Sequence, residues 1–155
     1  YQLHDHGRDP EGEVKSWGRN SRLDNLQAAF LNYLLPSYPS VISRRREIAS
    51  IYDSRLSPLD ELVLPPAPNS SEDHFDVYQN YELTAQRRDA LKDYLAHKGI
   101  GTLVQWGGKG IHQWHRLGFT KKLPLTDAFF NSSIMLPMNM FISNDDIDYI
   151  KKSLG

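Results

Sequence analysis

The chain has 155 residues, enough for one domain with a real core, and its 18 basic and 19 acidic residues leave a net charge of −1. That balance argues against a general nucleic-acid binder, which would carry a basic excess or stripe. There is no cysteine, so disulfides and thiolate metal sites are excluded and a reducing compartment is compatible; a cytoplasmic location is the expectation, and no apolar run nears the roughly 20 residues of a membrane span.

Residues 1–20 read as loop, punctuated by Gly7, Pro10, Gly12 and Gly18, with Tyr1 to Leu3 as the tail of a helix begun upstream. The start lacks a methionine and any signal-peptide pattern, and the chain reads as a piece of something longer. From Leu23 the apolar spacing Leu26, Ala29/Phe30, Tyr33/Leu34 predicts a helix to Leu35, with Ser21 or Asp24 as N-cap. A polar loop entering a helix N-terminus is a natural anion site, because free N–H groups and the dipole point outward there. Pro36 and Pro39 are expected to break the helix, and a second one to resume near Ser40 and run to Leu56. Arg44, Arg45 and Arg46 within it read as a solvated face.

Residues 57–73 are rich in Pro, Ser and Asp and read as a surface connection. Phe75 to Leu83 alternates at period two and predicts a half-buried strand. Arg87 to Lys98 is an amphipathic helix with Leu91, Tyr94 and Leu95 inward, stopped by Gly99. Thr102 to Trp106 reads as a second strand, Pro124 to Ser133 as a helix and Ile134 to Met138 as a third extended piece. Asn144 to Asp146 cap a last helix through Ile147, Ile150 and Leu154. The fold class is therefore α+β, a helical spine followed by a small α/β sandwich. The division expected is 1–56, loop plus long interface helices, and 57–155, a small α+β domain.

The densest chemistry lies between Thr102 and His115, a glycine-rich loop with Trp106, Lys109, His112, Trp114 and His115. The glycines allow close backbone approach to a ligand, and Lys109 could pair with a phosphate. It is neither a Walker loop, since Leu103 and Gly110 stand where Gly and Ser/Thr are needed, nor a G-x-G-x-x-G fingerprint. His112 and His115, or His4 and His6, are too few for a zinc site, so no metal is expected. No G-x-S-x-G elbow is present.

Several stretches, in order, resemble the DegT/DnrJ/EryC1/StrS family of pyridoxal-phosphate sugar aminotransferases. They are His6-Gly7; Gly18-x-Asn20-x-Arg22-Leu23-Asp24 with Leu26-Gln27-Ala28-Ala29; Arg46-x-x-Ala49-x-x-Tyr52; His74; Arg88-Asp89-x-Leu91-x-x-Tyr94-Leu95; Gly99-Ile100-Gly101-Thr102; His112-Gln113; and Leu123-Pro124 with Leu136-Pro137. The resemblance covers nearly the whole chain and implies the C-terminal part of a type I aminotransferase fold. It implies a homodimer with shared active sites, and pyridoxal 5'-phosphate as cofactor. Asn20 would reach the cofactor phosphate across the dimer and Arg22 would assist. Trp106, Lys109 and His112 would face a nucleotide-sugar substrate, although Trp106 to Gly110 departs from the aromatic-proline stretch of many relatives. Glutamate is the implied amino donor. The lysine that forms the internal Schiff base belongs upstream of His6-Gly7, so no catalytic residue is expected in this chain, which alone should be inactive. Two rivals remain: a pyridoxal-phosphate sugar dehydratase of the same family, and a non-catalytic nucleotide-sugar-binding module.

Overall fold

The computed structural model describes residues 2–154, so that Tyr1 of the expected upstream helix tail lies outside the described residues. The chain forms two compact units, Tyr1–Pro39 and Ser40–Gly155.

In the first unit a 3-10 turn at Gln2–His4 opens a folded-back loop. Residues 3–6 lie antiparallel to 19–21, through Arg19 N–H to Leu3 O (2.9 Å), Ser21 N–H to His4 O (2.8 Å) and His6 N–H to Arg19 O (3.1 Å). Isolated bridges join Asp5 to Asn20 and Arg8 to Val14, so the stretch expected as plain loop carries hairpin-like pairing. Helix α1 (Asn25–Leu34) follows, and of the two candidate caps the structure uses Asp24, whose carboxylate accepts from Gln27 N–H at 2.8 Å. The prolines do not open a gap. Pro36 sits in a 3-10 turn, Leu35–Ser37, and Pro39 in the first turn of α2 (Tyr38–Leu56), where a missing N–H costs nothing.

The second unit is built on a three-stranded antiparallel sheet, ordered β1 (Leu62–Val63), β2 (Tyr81–Ala85), β3 (Ser133–Leu136). The register pairs Tyr81 with Leu136 and Leu83 with Ile134, so these apolar side chains share one face. Against them pack Ile48, Ala49, Tyr52 and Leu56 of α2, Leu95 of α3 (Arg88–His97) and Ile147 and Ile150 of α5 (Asn144–Leu154). Helix α4 (Pro124–Ser132) leads into β3. The α+β class stands, with helices against a small sheet.

Several expectations need correction. The strand begins at Tyr81 rather than Phe75, because Tyr78 takes a left-handed φ of 49° and the carbonyls before β2 find side-chain donors. Those donors are the arginines expected to be solvated: Arg45 donates to Tyr78 O at 2.8 Å, Arg46 to Asp76 O at 2.6 Å, and Arg44 to Ile142 O at 2.6 Å. They clamp loops instead of facing water. Residues 102–106 form only a bridge, Leu103 to Met135, before a 3-10 segment at Gln105–Gly108, and β1 lies inside the Pro-rich connection read as coil. Tyr94 is 46% exposed rather than inward, while Leu95 is fully buried. Gly99 does end α3, at φ 74°, with Ile100 N–H reaching back to Leu95 O. The last helix is capped by Ser143, one residue earlier than expected, in a box closed by Asp146. The hydrogen bonds from Ser143 hold the Asp146 carboxyl below the usual range.

Tyr52, Tyr78 and Tyr81 form a buried aromatic cluster with Tyr52 and Tyr81 ring centres 4.8 Å apart. Burial, aided by Asp146 at Tyr52 and by Asp53 at Tyr81, pushes both hydroxyls well above the ordinary tyrosine range. A raised folded-state value means this stability is complete below the unfolded value near 10 and is lost as pH rises beyond it. The two hydroxyls differ: Tyr52 donates to Pro137 O at 2.9 Å, whereas the buried Tyr81 hydroxyl has no hydrogen-bond partner among the described residues. Tyr52→Phe should therefore cost about 1 kcal/mol, and Tyr81→Phe should be near neutral or stabilising. In denaturant melts at about pH 8 and about pH 10.5, Tyr81→Phe should lose less stability between the two than the parent does.

Candidate functional site

In the first unit the site residues are held by the paired loop. Gly7 has φ 78°, and a Cβ there would stand 1.6 Å from Ser16 O. A Cβ on Gly18 would meet Gly7 N at 2.2 Å and Gln2 O at 2.7 Å. These two glycines let the strands of the loop touch backbone to backbone, which brings Asn20 opposite Asp5. Arg22 then lies between them, its Nε donating to Asn20 Oδ1 at 3.3 Å and a terminal nitrogen 3.4 Å from Asp5 Oδ1.

That arrangement orients both groups. With Asn20 Oδ1 accepting from Arg22, the amide NH2 is left as the donor of an exposed residue. The guanidinium adds positive charge, moderated by Asp5. A neutral donor beside a partly compensated cation suits a phosphate monoester, so these residues fit the phosphate of pyridoxal phosphate. The N-terminus of α1, expected as an anion site, already carries a carboxylate cap. Asp24 accepts from Gln27 N–H there and places its own negative charge at the helix end.

In the second unit Trp106, Lys109 and His112 share one loop but differ in setting. Trp106, Gly107 and Gly108 are all left-handed, with φ 51°, 65° and 73°. This projects Trp106, which is 76% exposed, and the exposed Lys109, whose Nζ lies 5.5 Å from the Trp114 ring centre. His112 is only 6% exposed. Its Nε2 is 2.7 Å from Asp127 Oδ1, and a Cβ on Gly110 would strike its ring at 2.8 Å. Gln113 donates to the same Asp127 oxygen at 2.9 Å and accepts from Gly110 N–H at 2.9 Å. His115 stands in a separate 3-10 turn, and among the described residues no three metal-ligating side chains converge.

Sequence reasoning missed Asp5 and Asp127. Asp127 carries only the signal of an acid in the first turn of α4, with nothing to tie it to a histidine 15 residues earlier. Two grooves of about 360 and 520 Å³ on the second unit are lined by other residues, including Leu59, Arg87 and Leu91 in one and Gly101 and Tyr149 in the other. None of the described helices is long and apolar enough to cross a membrane.

Comparison with known proteins bears on this geometry. The profile of the DegT/DnrJ/EryC1/StrS aminotransferase family matches residues 1–155, and the chain belongs to that family. It is 27% identical over 159 residues to the dTDP-3-amino-3,6-dideoxy-alpha-D-galactopyranose transaminase of Aneurinibacillus thermoaerophilus, covering 99% of this chain and 41% of the relative. It is 29% identical to a pleiotropic regulatory protein of Geobacillus stearothermophilus, over 97% of this chain and 41% of that one. Its fold superposes on S. venezuelae DesV, solved in complex with a ketimine intermediate, with a TM-score of 0.85 and 26% identity over 99% of this chain and 41% of DesV. The chain thus spans about 41% of the length of the relatives it matches.

Proposed function

We propose that these residues are the C-terminal part of a pyridoxal-phosphate-dependent aminotransferase that aminates a nucleotide-linked keto-deoxysugar, with glutamate as donor. The observation that carries the reading is the Asn20–Arg22–Asp5 cluster, an exposed amide donor and a cation on a loop shaped by two closely packed glycines. The match to sugar-aminotransferase relatives along the whole chain supports it.

When bound, the cofactor supplies the electrophilic carbonyl and electron sink for exchange of the amino group. The family resemblance assigns the lysine that would hold it covalently to a part of the protein outside these residues. Asn20 donates to its phosphate from the opposite subunit of a homodimer, and Arg22 orients Asn20 and adds charge. Trp106 stacks on the nucleotide-sugar and Lys109 pairs with its diphosphate. His112, buried against Asp127, supports that loop from beneath. Residues 1–39 complete the large domain, and the unit of residues 40–155, with α2 in its core, forms the small one, in a cytoplasmic enzyme. The exposed apolar side chains of α1, among them Leu26, Phe30 and Tyr33 at 69%, 61% and 83%, fit a surface covered by the rest of such an assembly.

The test is label transfer. The full-length protein, loaded with pyridoxal phosphate and given ¹⁵N-glutamate, should place ¹⁵N on a dTDP- or UDP-linked keto-deoxyhexose. Loss of a sugar hydroxyl without nitrogen incorporation would indicate the dehydratase instead. Nucleotide-sugar binding without turnover would indicate a binding module.

A further inference from the structure

The loop from Val104 to Gln113 has no regular pairing of its own, yet it is bent through three consecutive left-handed residues, one of them a tryptophan. A side chain disfavours that conformation, so something outside the turn must hold it. One end is fixed to the sheet: Leu103 N–H donates to Met135 O at 3.1 Å, and Met135 N–H to Leu103 O at 2.8 Å. At the other end the hydrogen bonds to α4 converge on one atom, Asp127 Oδ1, which lies 2.7 Å from His112 Nε2 and 2.9 Å from Gln113 Nε2.

The chemistry of this second anchor is specific. Because the Gln113 amide spends its NH2 on Asp127, its oxygen is left to accept from Gly110 N–H, which closes the stretch 110–113 into a ring. His112 is packed between Gly110 and the carboxylate, with its Nδ1 buried and without a hydrogen-bond partner among the described residues. Removing the carboxylate would free both the histidine and the glutamine. We propose that Asp127 is a positioning residue: through His112 and Gln113 it fixes the 104–113 loop in the conformation that presents Trp106 and Lys109 to the nucleotide part of the substrate. This rests on the reading of that loop as the nucleotide-sugar side of the site.

The test uses the full-length protein loaded with cofactor and two readouts, amide hydrogen exchange and titration with dTDP and with UDP. In Asp127→Ala, exchange across 104–113 should rise at least about tenfold while β2 and α5 amides stay unchanged, and the Kd of whichever nucleotide the parent binds should rise about tenfold or more. Asp127→Asn, which keeps the shape and one neutral acceptor, should fall between parent and alanine in both readouts. Should the alanine variant not fold, the asparagine variant decides the matter alone. Faster loop exchange with unchanged nucleotide Kd would overturn the proposal, leaving Asp127 a purely structural contact. Unchanged exchange would overturn it as well. If the parent binds neither dTDP nor UDP, the nucleotide-sugar reading itself is wrong and the proposal falls with it, an outcome separable from the other two.

Discussion

Gly18→Ala should unfold the loop that carries Asn20, at a cost of about 3 kcal/mol or more. The added Cβ would stand 2.2 Å from Gly7 N, 2.7 Å from Gln2 O and 2.8 Å from His6 C, all backbone atoms of the facing segment. No rotamer change relieves contacts with main chain, so the two halves of the loop must separate and the bonds Arg19–Leu3, Ser21–His4 and His6–Arg19 are lost together. Gly7→Ala should act in the same direction for two reasons, its left-handed φ and a 1.6 Å approach to Ser16 O. In the full-length protein, amides of residues 3–21 should exchange freely in the Gly18 variant and bound cofactor should be lost. Amides of β2 and α5 should keep their protection. Parent-like exchange at residues 3–21 would show that the close approach is not needed.

The helices were legible in the sequence because their apolar spacing survives folding. Leu95 and the Ile147–Ile150 pair are buried where the period of 3.6 places them. The strands were less so. Phe75 to Leu83 alternates convincingly, but strand pairing is decided by which groups satisfy the backbone. Here Arg45 and Arg46, some 30 residues earlier, take the carbonyls of Tyr78 and Asp76. A run of three arginines looks like surface until its targets are known. The short β1 was hidden for the converse reason: two residues among prolines carry no pattern, and Leu62 and Val63 become a strand only because Ala85 and Thr84 are free to pair.

The candidate site divides in the same way. Asn20 and Arg22 come from motif resemblance, whereas Trp106, Lys109 and His112 already stand out as a glycine-rich loop dense in functional side chains. What the motif could not convey is how they are held. Asp5 meets Arg22 across the loop because two glycines remove the side chains between them, and Asp127 meets His112 because α4 packs under a turn of left-handed residues. Both partners are carboxylates distant in sequence, and both emerge only from tertiary contact.

The central claim is that the loop from Gly18 to Arg22 grips the phosphate of pyridoxal phosphate through Asn20. Its oxygen is engaged by Arg22, which leaves the amide NH2 as the donor, and a hydrogen bond of this kind to a charged group contributes about 1.5–3 kcal/mol. Asn20→Ala removes that donor while leaving the glycines, the backbone pairing and the Arg22–Asp5 contact in place. The decisive measurement is the Kd of pyridoxal phosphate for the full-length parent and Asn20→Ala proteins, alongside their melting temperatures without cofactor. A rise in Kd of roughly 10- to 150-fold at an unchanged cofactor-free melting temperature is the predicted result. An unchanged Kd would contradict the account and remove Asn20 from the cofactor site.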